Sequence, residues 1–300
     1  MPIPMSQKLM YAARKAYQVS ATGPVPSYVA GSAEAADDAQ IGWLPAPQNG
    51  FASGTDLMNA GYVGETATEI IVALRGTLPL SLSSPDKRQA LLDWLNDADA
   101  LLVAFDAFPG LVHKGFLGAL ETLWPNMAPA VNAASAASPL KPIYVVGHSK
   151  GGAMANLAAL RINRDLPNAT VAVTTFAAAR PGDVRFQANY DQVITHSIRF
   201  EYRDDVVPHL PPTSDFFEVL MHIPAFAKDL SPVIDLNFVS VGDLYFINWD
   251  TPPKIEGADF FLEMRRRLSL GALILTLQFG KIFGDHSIDP SGGYDSAPYS

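Results

Sequence analysis

Apolar positions along this chain follow two patterns, and the patterns alternate. Short, nearly continuous apolar runs predict buried strands, at residues 68–74, 142–146, 170–176, 197–202 and 237–247. Apolar residues at helical spacing predict helices, at residues 6–18, from Ser84 onward, at 116–134, at 153–166 and over most of 255–283. We expect Pro125 and Pro129 to break the helix over 116–134, because proline removes a backbone donor.

Strands that alternate with helices predict an α/β sheet with a parallel centre. Residues 20–66 are rich in Gly, Pro and Asn, and are expected to form loops and short strands. Phe260, Phe261, Met264 and Leu268 stand at helical spacing and are expected to pack against the body of the domain or its pocket. The run 265–267, three arginines, is expected to be a solvated helix face.

Composition excludes several classes of protein. The chain has 300 residues, 48% of them hydrophobic and 17% charged, which is typical of a globular protein. Its net charge of −9 argues against nucleic acid as a partner, and against nonspecific attraction to anionic membranes. It has no cysteine, so it has no disulfide and no cysteine-ligated zinc, and no spacing of His and carboxylates suggests a metal site.

Membrane and export signals are weak. The longest apolar stretch, 268–279, is shorter than the ~20 residues that a membrane-spanning helix needs. The first twenty residues do not show a basic start followed by an apolar core, because Lys8, Arg14 and Lys15 interrupt them. Cytoplasmic location is therefore the default expectation, with export by a signal-less route left open.

Residues 147–151 read Gly-His-Ser-Lys-Gly and match the Gly-x-Ser-x-Gly nucleophile elbow. In an elbow, a sharp turn from strand to helix holds the serine hydroxyl exposed beside a base, and the glycines leave room for strand and helix to approach. Here a predicted strand precedes the motif and a predicted helix follows it. Ser149 is therefore the candidate nucleophile, and the His148 ring is expected to point into packing.

An elbow serine needs a base, and the base needs a carboxylate that orients it. In this type of site the chain order is serine, acid, histidine. Asp204 and Asp205 leave the predicted strand 197–202 and are the candidate acids. His222 and His286 remain as candidate bases, and the loop around His286 is of the kind that can present a histidine over a sheet.

The negative charge that develops during ester cleavage needs two backbone N–H donors. One is expected from Lys150, the residue after the nucleophile. The other must come from a loop after an earlier strand, and Thr77 fits because Gly76 permits a tight turn there.

This assembly resembles the class 3 lipases, the fungal-lipase-like branch of the α/β-hydrolases. The resemblance is carried by residues 70–77, 93–97, 112–116, 144–157, 175–183 and 203–212. In the family the catalytic aspartate precedes a branched residue, Val and Pro, so the resemblance selects Asp205 over Asp204. The family usually has leucine where Lys150 stands, which places a cation beside the site.

The resemblance implies one α/β-hydrolase domain over residues 1–300: a mostly parallel central sheet flanked by helices, with a lid over 78–95. The stretches 214–235 and 251–283 depart from the family because they are longer than a compact member needs, and they are expected to form cap insertions. The resemblance also implies a serine hydrolase that needs no cofactor, cleaves acylglycerols or other lipid esters, and contacts a lipid interface transiently. An aryl or short-chain esterase, a thioesterase or a peptidase could use the same triad. A catalytically silent lipid-binding protein is the alternative from another class.

Overall fold

The computed structural model describes residues 3–46, 48–54, 57–77, 101–106, 108–214, 237–276, 278–290 and 292–299. Within these residues, nine strands form one sheet in the order β1-β2-β3-β4-β7-β8-β9-β10-β11. Its strands are β1 (Gly23–Pro24), β2 (Asn49–Ser53), β3 (Asn59–Glu65), β4 (Ile70–Leu74), β7 (Ile143–His148), β8 (Val171–Phe176), β9 (Ser197–Tyr202), β10 (Asp243–Ile247) and β11 (Ile255–Gly257). A separate hairpin joins β5 (Leu102–Phe105) to β6 (Phe108–His113).

The centre of the sheet is parallel, as the alternation of strands and helices predicted. Strands β4, β7, β8, β9 and β10 run parallel to their neighbours in this group. The flanking strands β1, β2, β3 and β11 pair antiparallel at the two edges. Because parallel strands end at the same edge, the residues after β4, β7 and β9 meet there.

The central strands are apolar on both faces because helices cover both. The helices are α1 (Met5–Lys15), α2 (Ala33–Ile41), α3 (Lys114–Ala137), α4 (Lys150–Asp165), α5 (Val184–Val193), α6 (Phe260–Leu275) and α7 (Phe279–Gly284). In β4, Val72 and Leu74 join the core cluster that contains residues of α3, α4 and α5. Ile71 and Ala73 point to the other face and join the cluster that contains α1. Near-continuous apolar runs are typical of such doubly covered strands.

Helix α3 differs from the prediction because it continues through both prolines over 24 residues. Pro125 and Pro129 are four residues apart and both are exposed. The backbone carbonyls that lose their partners therefore face water, which can solvate them. On the opposite side Leu123, Met127 and Val131 are buried in the core, and this packing holds the helix together.

Helix α6 also differs from the prediction. Phe260, Phe261 and Leu268 are 75%, 75% and 68% exposed, so they do not pack against the body of the domain. The buried residues of α6 are Leu262, Arg266, Leu270 and Ile274. The face of α6 that carries these four residues therefore packs on the core, and the exposed phenylalanines lie on another face. Arg266, the middle arginine of the run 265–267, is buried, whereas the sequence predicted a solvated side chain.

The predicted lid and caps lie largely beyond the described ranges. The lid over 78–95, the helix from Ser84 and the segment 93–97 lie outside the described residues, as does the cap 214–235 except for Ser214. Most of 251–283 is described: β11 extends the main sheet, and α6 packs on its core. The lid and the cap function remain predictions. Among the described helices, none is long and apolar enough to cross a membrane.

An aromatic cluster under the elbow should dominate local stability. Phe176 is fully buried, stacks on Phe200 at 5.3 Å between ring centroids, and contacts Tyr294 and Tyr299 edge-on. We expect Phe176→Ala to lower the free energy of unfolding by about 3–5 kcal/mol, since it removes this packing and leaves a cavity. Urea denaturation measures the loss. Leu140→Ala, at a side chain that is 97% exposed, is the control and should change stability by less than about 0.5 kcal/mol; equal effects of the two substitutions would contradict the assignment.

Candidate active site

Ser149 lies in the turn between β7 and α4. The strand ends at His148, the helix begins at Lys150, and Ser149 between them has φ 60° and ψ −133°. Residues other than glycine rarely adopt a positive φ, so the neighbouring structure must hold Ser149 in this conformation. The Ser149 backbone N–H donates to the Phe176 carbonyl at 3.0 Å, which ties the turn to β8.

Two glycines of the motif lie where no side chain could fit. A Cβ on Gly147 would lie 2.2 Å from the carbonyl oxygen of Gly151, so the strand and the helix touch at these residues. A Cβ on Gly151 would lie 2.2 Å from the carbonyl oxygen of Leu74, the last residue of β4. The first turn of α4 is thus pressed against the end of β4, which carries the candidate oxyanion turn.

Asp205 and His286 form a hydrogen-bonded pair. His286 Nδ1 lies 3.0 Å and 3.1 Å from the two carboxylate oxygens of Asp205. The Tyr294 hydroxyl donates to Asp205 Oδ2 at 2.8 Å, and the Val207 backbone N–H donates to Oδ1 at 3.0 Å. Burial and the Asp205 charge raise the pKa of Tyr294 well above its ordinary value, so the phenol stays protonated and donates. The carboxylate is therefore fixed from three sides.

Asp204 has different partners. Its carboxylate accepts hydrogen bonds from Trp249 Nε1 at 2.9 Å, from the Ser269 hydroxyl and from the Lys281 ammonium. Burial alone would raise the pKa of Asp204, but these three donors outweigh it and lower the pKa. Ser269 is on α6 and Lys281 is on α7, so Asp204 ties both helices to the loop after β9.

His148 links the elbow to the loop that carries His286. Its Nε2 lies 2.9 Å from the His286 carbonyl oxygen, and its Nδ1 lies 2.8 Å from the Tyr17 hydroxyl. A carbonyl can only accept, so Nε2 carries the proton and Nδ1 accepts from Tyr17. Burial and the nearby His286 lower the pKa of His148 well below its ordinary value, which keeps the ring in this neutral form.

The candidate oxyanion groups flank Ser149. A Cβ on Gly76 would lie 2.8 Å from Ser149 Cβ and 2.6 Å from the Tyr17 hydroxyl, so the turn that leads to Thr77 passes directly beside the nucleophile. Lys150 begins α4, where backbone N–H groups have no acceptor within the helix. The Lys150 side chain lies on Asn59, with Nζ 2.7 Å from Oδ1.

The structure does not join every member of the candidate triad. Ser149 and His286 are both described, and they make no hydrogen bond to each other, although the His286 ring centroid lies 4.6 Å from that of the adjacent His148. Hydrogen bonds of this kind are often long before substrate binds. The rival base, His222, lies outside the described residues. In the described part of the chain, no group of three or more acidic or histidine side chains could hold a metal ion.

Sequence reasoning missed Tyr17 and Tyr294. Tyr17 lies in the 3-10 turn Ala16–Gln18, more than a hundred residues before the elbow. Tyr294 lies in a similar turn near the C-terminal end of the described residues, Gly293–Ser296. No local motif marks either tyrosine, because each becomes part of the site only through the tertiary fold.

Comparison with known proteins places this geometry in a family. The sequence model of the class 3 lipases, described as Lipase (class 3), matches residues 72–215. A lipase of Caenorhabditis elegans is 35% identical over 158 residues, which cover 51% of this chain and 41% of that protein. The secreted mono- and diacylglycerol lipase 1 of Fusarium solani is 34% identical over 149 residues, covering 48% of this chain and 40% of the relative. The chain thus spans less than half the length of these curated relatives.

The fold is similar to that of solved lipase structures. The crystal structure of the Rhizomucor miehei lipase in complex with its propeptide superposes with a TM-score of 0.59 at 20% identity, over 85% of this chain and 71% of that one. This similarity confirms the predicted α/β-hydrolase fold, with a mostly parallel central sheet between layers of helices.

The expected cytoplasmic location is wrong. The Fusarium relative is named a secreted lipase, which points to an extracellular setting and not to the cytoplasm. The expectation depended only on the first twenty residues, and the charge pattern of that short stretch carries no information on the compartment.

The family match extends from β4 to the loop after the acid, and it includes the elbow, Asp205 and the strands that position them. Over residues 72–215, a little under half of its length, this chain is similar to the class 3 lipase family.

Proposed function

We propose that this protein hydrolyses carboxylic esters of lipids, acylglycerols among them, through an acyl-enzyme formed on Ser149. The observation that carries the proposal is the Asp205–His286 pair, which is tied through His148 to the nucleophile elbow, where Ser149 is held at positive φ. A relative's name, mono- and diacylglycerol lipase, supports the substrate class. We also propose that residues 1–300 form one α/β-hydrolase domain, since the described strands from β1 to β11 belong to one sheet, apart from the hairpin β5–β6.

In the proposed reaction, His286 Nε2 takes the proton from Ser149 Oγ while the oxygen attacks the ester carbonyl carbon. The carbonyl oxygen becomes negatively charged and accepts hydrogen bonds from the backbone N–H groups of Thr77 and Lys150. His286 then gives its proton to the leaving alcohol, and the acyl group stays on Ser149. A water molecule, deprotonated by His286, attacks the acyl carbon. The bond between that carbon and Ser149 Oγ then breaks, His286 returns the proton to Oγ, and the carboxylic acid is released.

Asp205 serves this cycle by fixing the ring. It accepts a hydrogen bond from Nδ1 of His286, which leaves Nε2 as the atom that exchanges protons with Ser149. When the imidazole becomes a cation, the carboxylate stabilises it. Tyr294 and Val207 hold the carboxylate in the required orientation.

His148 and Tyr17 act as positioning residues in this proposal. The His286 backbone carbonyl is held by His148, and His148 is oriented by the Tyr17 hydroxyl. A shift of the His286 backbone would move Nε2 relative to Ser149, and small displacements of reacting groups can strongly reduce the rate.

The substrate class is tested by hydrolysis of p-nitrophenyl esters with acyl chains of two to sixteen carbons. A lipid esterase should act on the longer chains, and it should also release fatty acid from emulsified mono- or diacylglycerol. Activity confined to acyl groups of two to four carbons would instead make the protein a short-chain or aryl esterase.

Ser149→Ala should reduce kcat by about 10⁴-fold or more, because only binding and oxyanion effects survive without the nucleophile. Labelling by a fluorophosphonate probe should be lost at the same time. Ser135→Ala, at a serine on α3 away from the elbow, is the matched control and should leave both readouts unchanged. A folded Ser149→Ala protein that still hydrolyses ester at a rate close to wild type would falsify the assignment of Ser149 as the nucleophile.

Asp205→Asn should lower kcat by about 10⁴-fold, since the amide favours the wrong tautomer of His286. Asp204→Asn, the same chemical change one residue earlier, should mainly lower stability, because its partners are on α6 and α7. Steady-state kinetics with thermal denaturation of both variants separates the roles. Collapse of kcat in Asp204→Asn with normal rates in Asp205→Asn would transfer the acid role.

Tyr17→Phe should lower kcat by about tenfold with little change in KM, because the His148 ring loses its donor and the His286 backbone loses its alignment. A fall in kcat at unchanged KM in a variant of normal thermal stability indicates a positioning role, whereas general destabilisation would lower the thermal stability. Tyr11→Phe is a suitable control, since the Tyr11 hydroxyl accepts a hydrogen bond from Gln7 Nε2 on the same helix, α1. If kcat stayed normal in a stable Tyr17→Phe variant, the positioning role would be excluded.

A further inference from the structure

A cavity borders the loop that carries Asp205. It has a volume of about 210 Å³ and is open to the surface. Its walls come from β9, the loop after β8, the residues before β10, and α6. Pro208 and His209, which follow the acid at the end of the same loop, form part of one wall. The cavity is smaller than the roughly 300–1,000 Å³ typical of sites for drug-sized ligands, so it suits a small group.

The cavity is rich in positive charge although the chain as a whole is acidic. Arg180, Arg199, Arg266 and Arg267 line it, against two carboxylates, Glu201 and Glu263. The net charge of the whole chain is −9. Even when Arg267 is left out of the comparison, three guanidinium groups face two carboxylates.

Among the described residues, the ion pairs of the cavity do not include Arg180. Glu201 pairs with both Arg199 and Arg266, and Glu263 pairs with Arg266. Arg180 makes one hydrogen bond to the described part of the chain, from Nη1 to the Pro211 carbonyl at 3.0 Å. In addition, Nε of Arg266 is buried and has no hydrogen-bond partner there, although the whole side chain is only 4% exposed.

The electrostatics of neighbouring groups agree with this geometry. Burial lowers the pKa of Arg180 to about 10; the charges of Glu201 and Glu263 oppose this shift, and those of Arg267 and Arg266 add to it. Burial together with Arg266 and Arg180 lowers the pKa of His209 well below its ordinary value. His209 therefore experiences a positive potential from the neighbouring guanidinium groups that Glu201 does not cancel.

Neutral donors complete the lining. The hydroxyls of Thr213 and Ser240 border the cavity, and the Ser240 segment is held by Gln187, whose Nε2 donates to the Ser240 carbonyl at 2.8 Å. Guanidinium groups form charge-assisted hydrogen bonds with carboxylates and phosphates alike. Donors that come from several elements around the cavity favour a tetrahedral anion, which offers acceptors on several sides.

We propose that this cavity is an anion site that binds a phosphate group, with Arg180 as its principal ligand. The group is either free phosphate or the headgroup phosphate of a phospholipid. The site goes beyond the proposed ester hydrolysis, because none of Ser149, Asp205 and His286 is among the residues that line it.

Isothermal titration of the full chain with inorganic phosphate, at constant ionic strength in chloride, tests the site. We expect saturable binding with a dissociation constant on the order of 1 mM or tighter. Arg180→Gln should weaken it at least tenfold. Arg185→Gln is the matched control, because Arg185 is exposed on α5 and lies outside the cavity. Circular dichroism checks that each variant is folded.

A second variant keeps the test open if Arg180→Gln does not fold. Thr213→Val removes a donor at the rim, and it should weaken phosphate binding without loss of structure. Wild-type protein that shows no saturable binding would overturn the proposal, as would equal weakening in the Arg180→Gln and Arg185→Gln variants. Acetate that binds as tightly as phosphate would overturn the phosphate assignment.

The source of the phosphate is distinguished with a short-chain diether phosphatidylcholine, which has no ester that Ser149 could cleave. Tighter binding of this lipid than of inorganic phosphate, lost in Arg180→Gln, would assign the site to a headgroup. The reverse order would assign it to free phosphate. Neither result depends on ester turnover, so the anion site and the proposed hydrolase activity can fail separately.

Discussion

The contact between the end of β4 and the first turn of α4 is the constraint on which the site depends. Gly151 lies so close to the Leu74 carbonyl that any side chain there would collide with it. This contact sets the turn at Gly76 against Ser149, which is itself held at φ 60°. The nucleophile and the two candidate oxyanion donors are therefore positioned by one packing interaction between backbones, and three separate loops are not needed to align them.

The C-terminal part of the described chain is attached to this centre by polar contacts. His148 holds the His286 carbonyl, Asp205 holds the His286 ring, and Tyr294 holds Asp205. Each of these groups is buried or half-buried, where hydrogen bonds are costly to leave unmade. The position of the candidate base, His286, thus depends on a network that includes Tyr17, so residues near the two ends of the described chain meet at the nucleophile elbow.

The parts of this structure that the sequence predicts are those with local causes. Ser149 has a motif of five residues, and the parallel strands have continuous apolar runs. The antiparallel strands β2 and β3 lie in a segment where Gly and Asn obscure any period, and they form because β4 offers an edge to pair with. The buried Arg266 had no local sign either, since its burial depends on Glu201, which is 65 residues away.

Three acidic residues at the end of β9 show how surroundings decide function. Glu201 is paired with Arg199 and Arg266, and Asp204 is paired with Lys281. Both carboxylates already have a fixed cation. Asp205 is held by Tyr294, by a backbone N–H and by His286, and among the described residues it has no lysine or arginine partner. Among the described residues, its charge would therefore be compensated by His286 once that ring becomes a cation, which is the state that the proposed proton transfer from Ser149 would create.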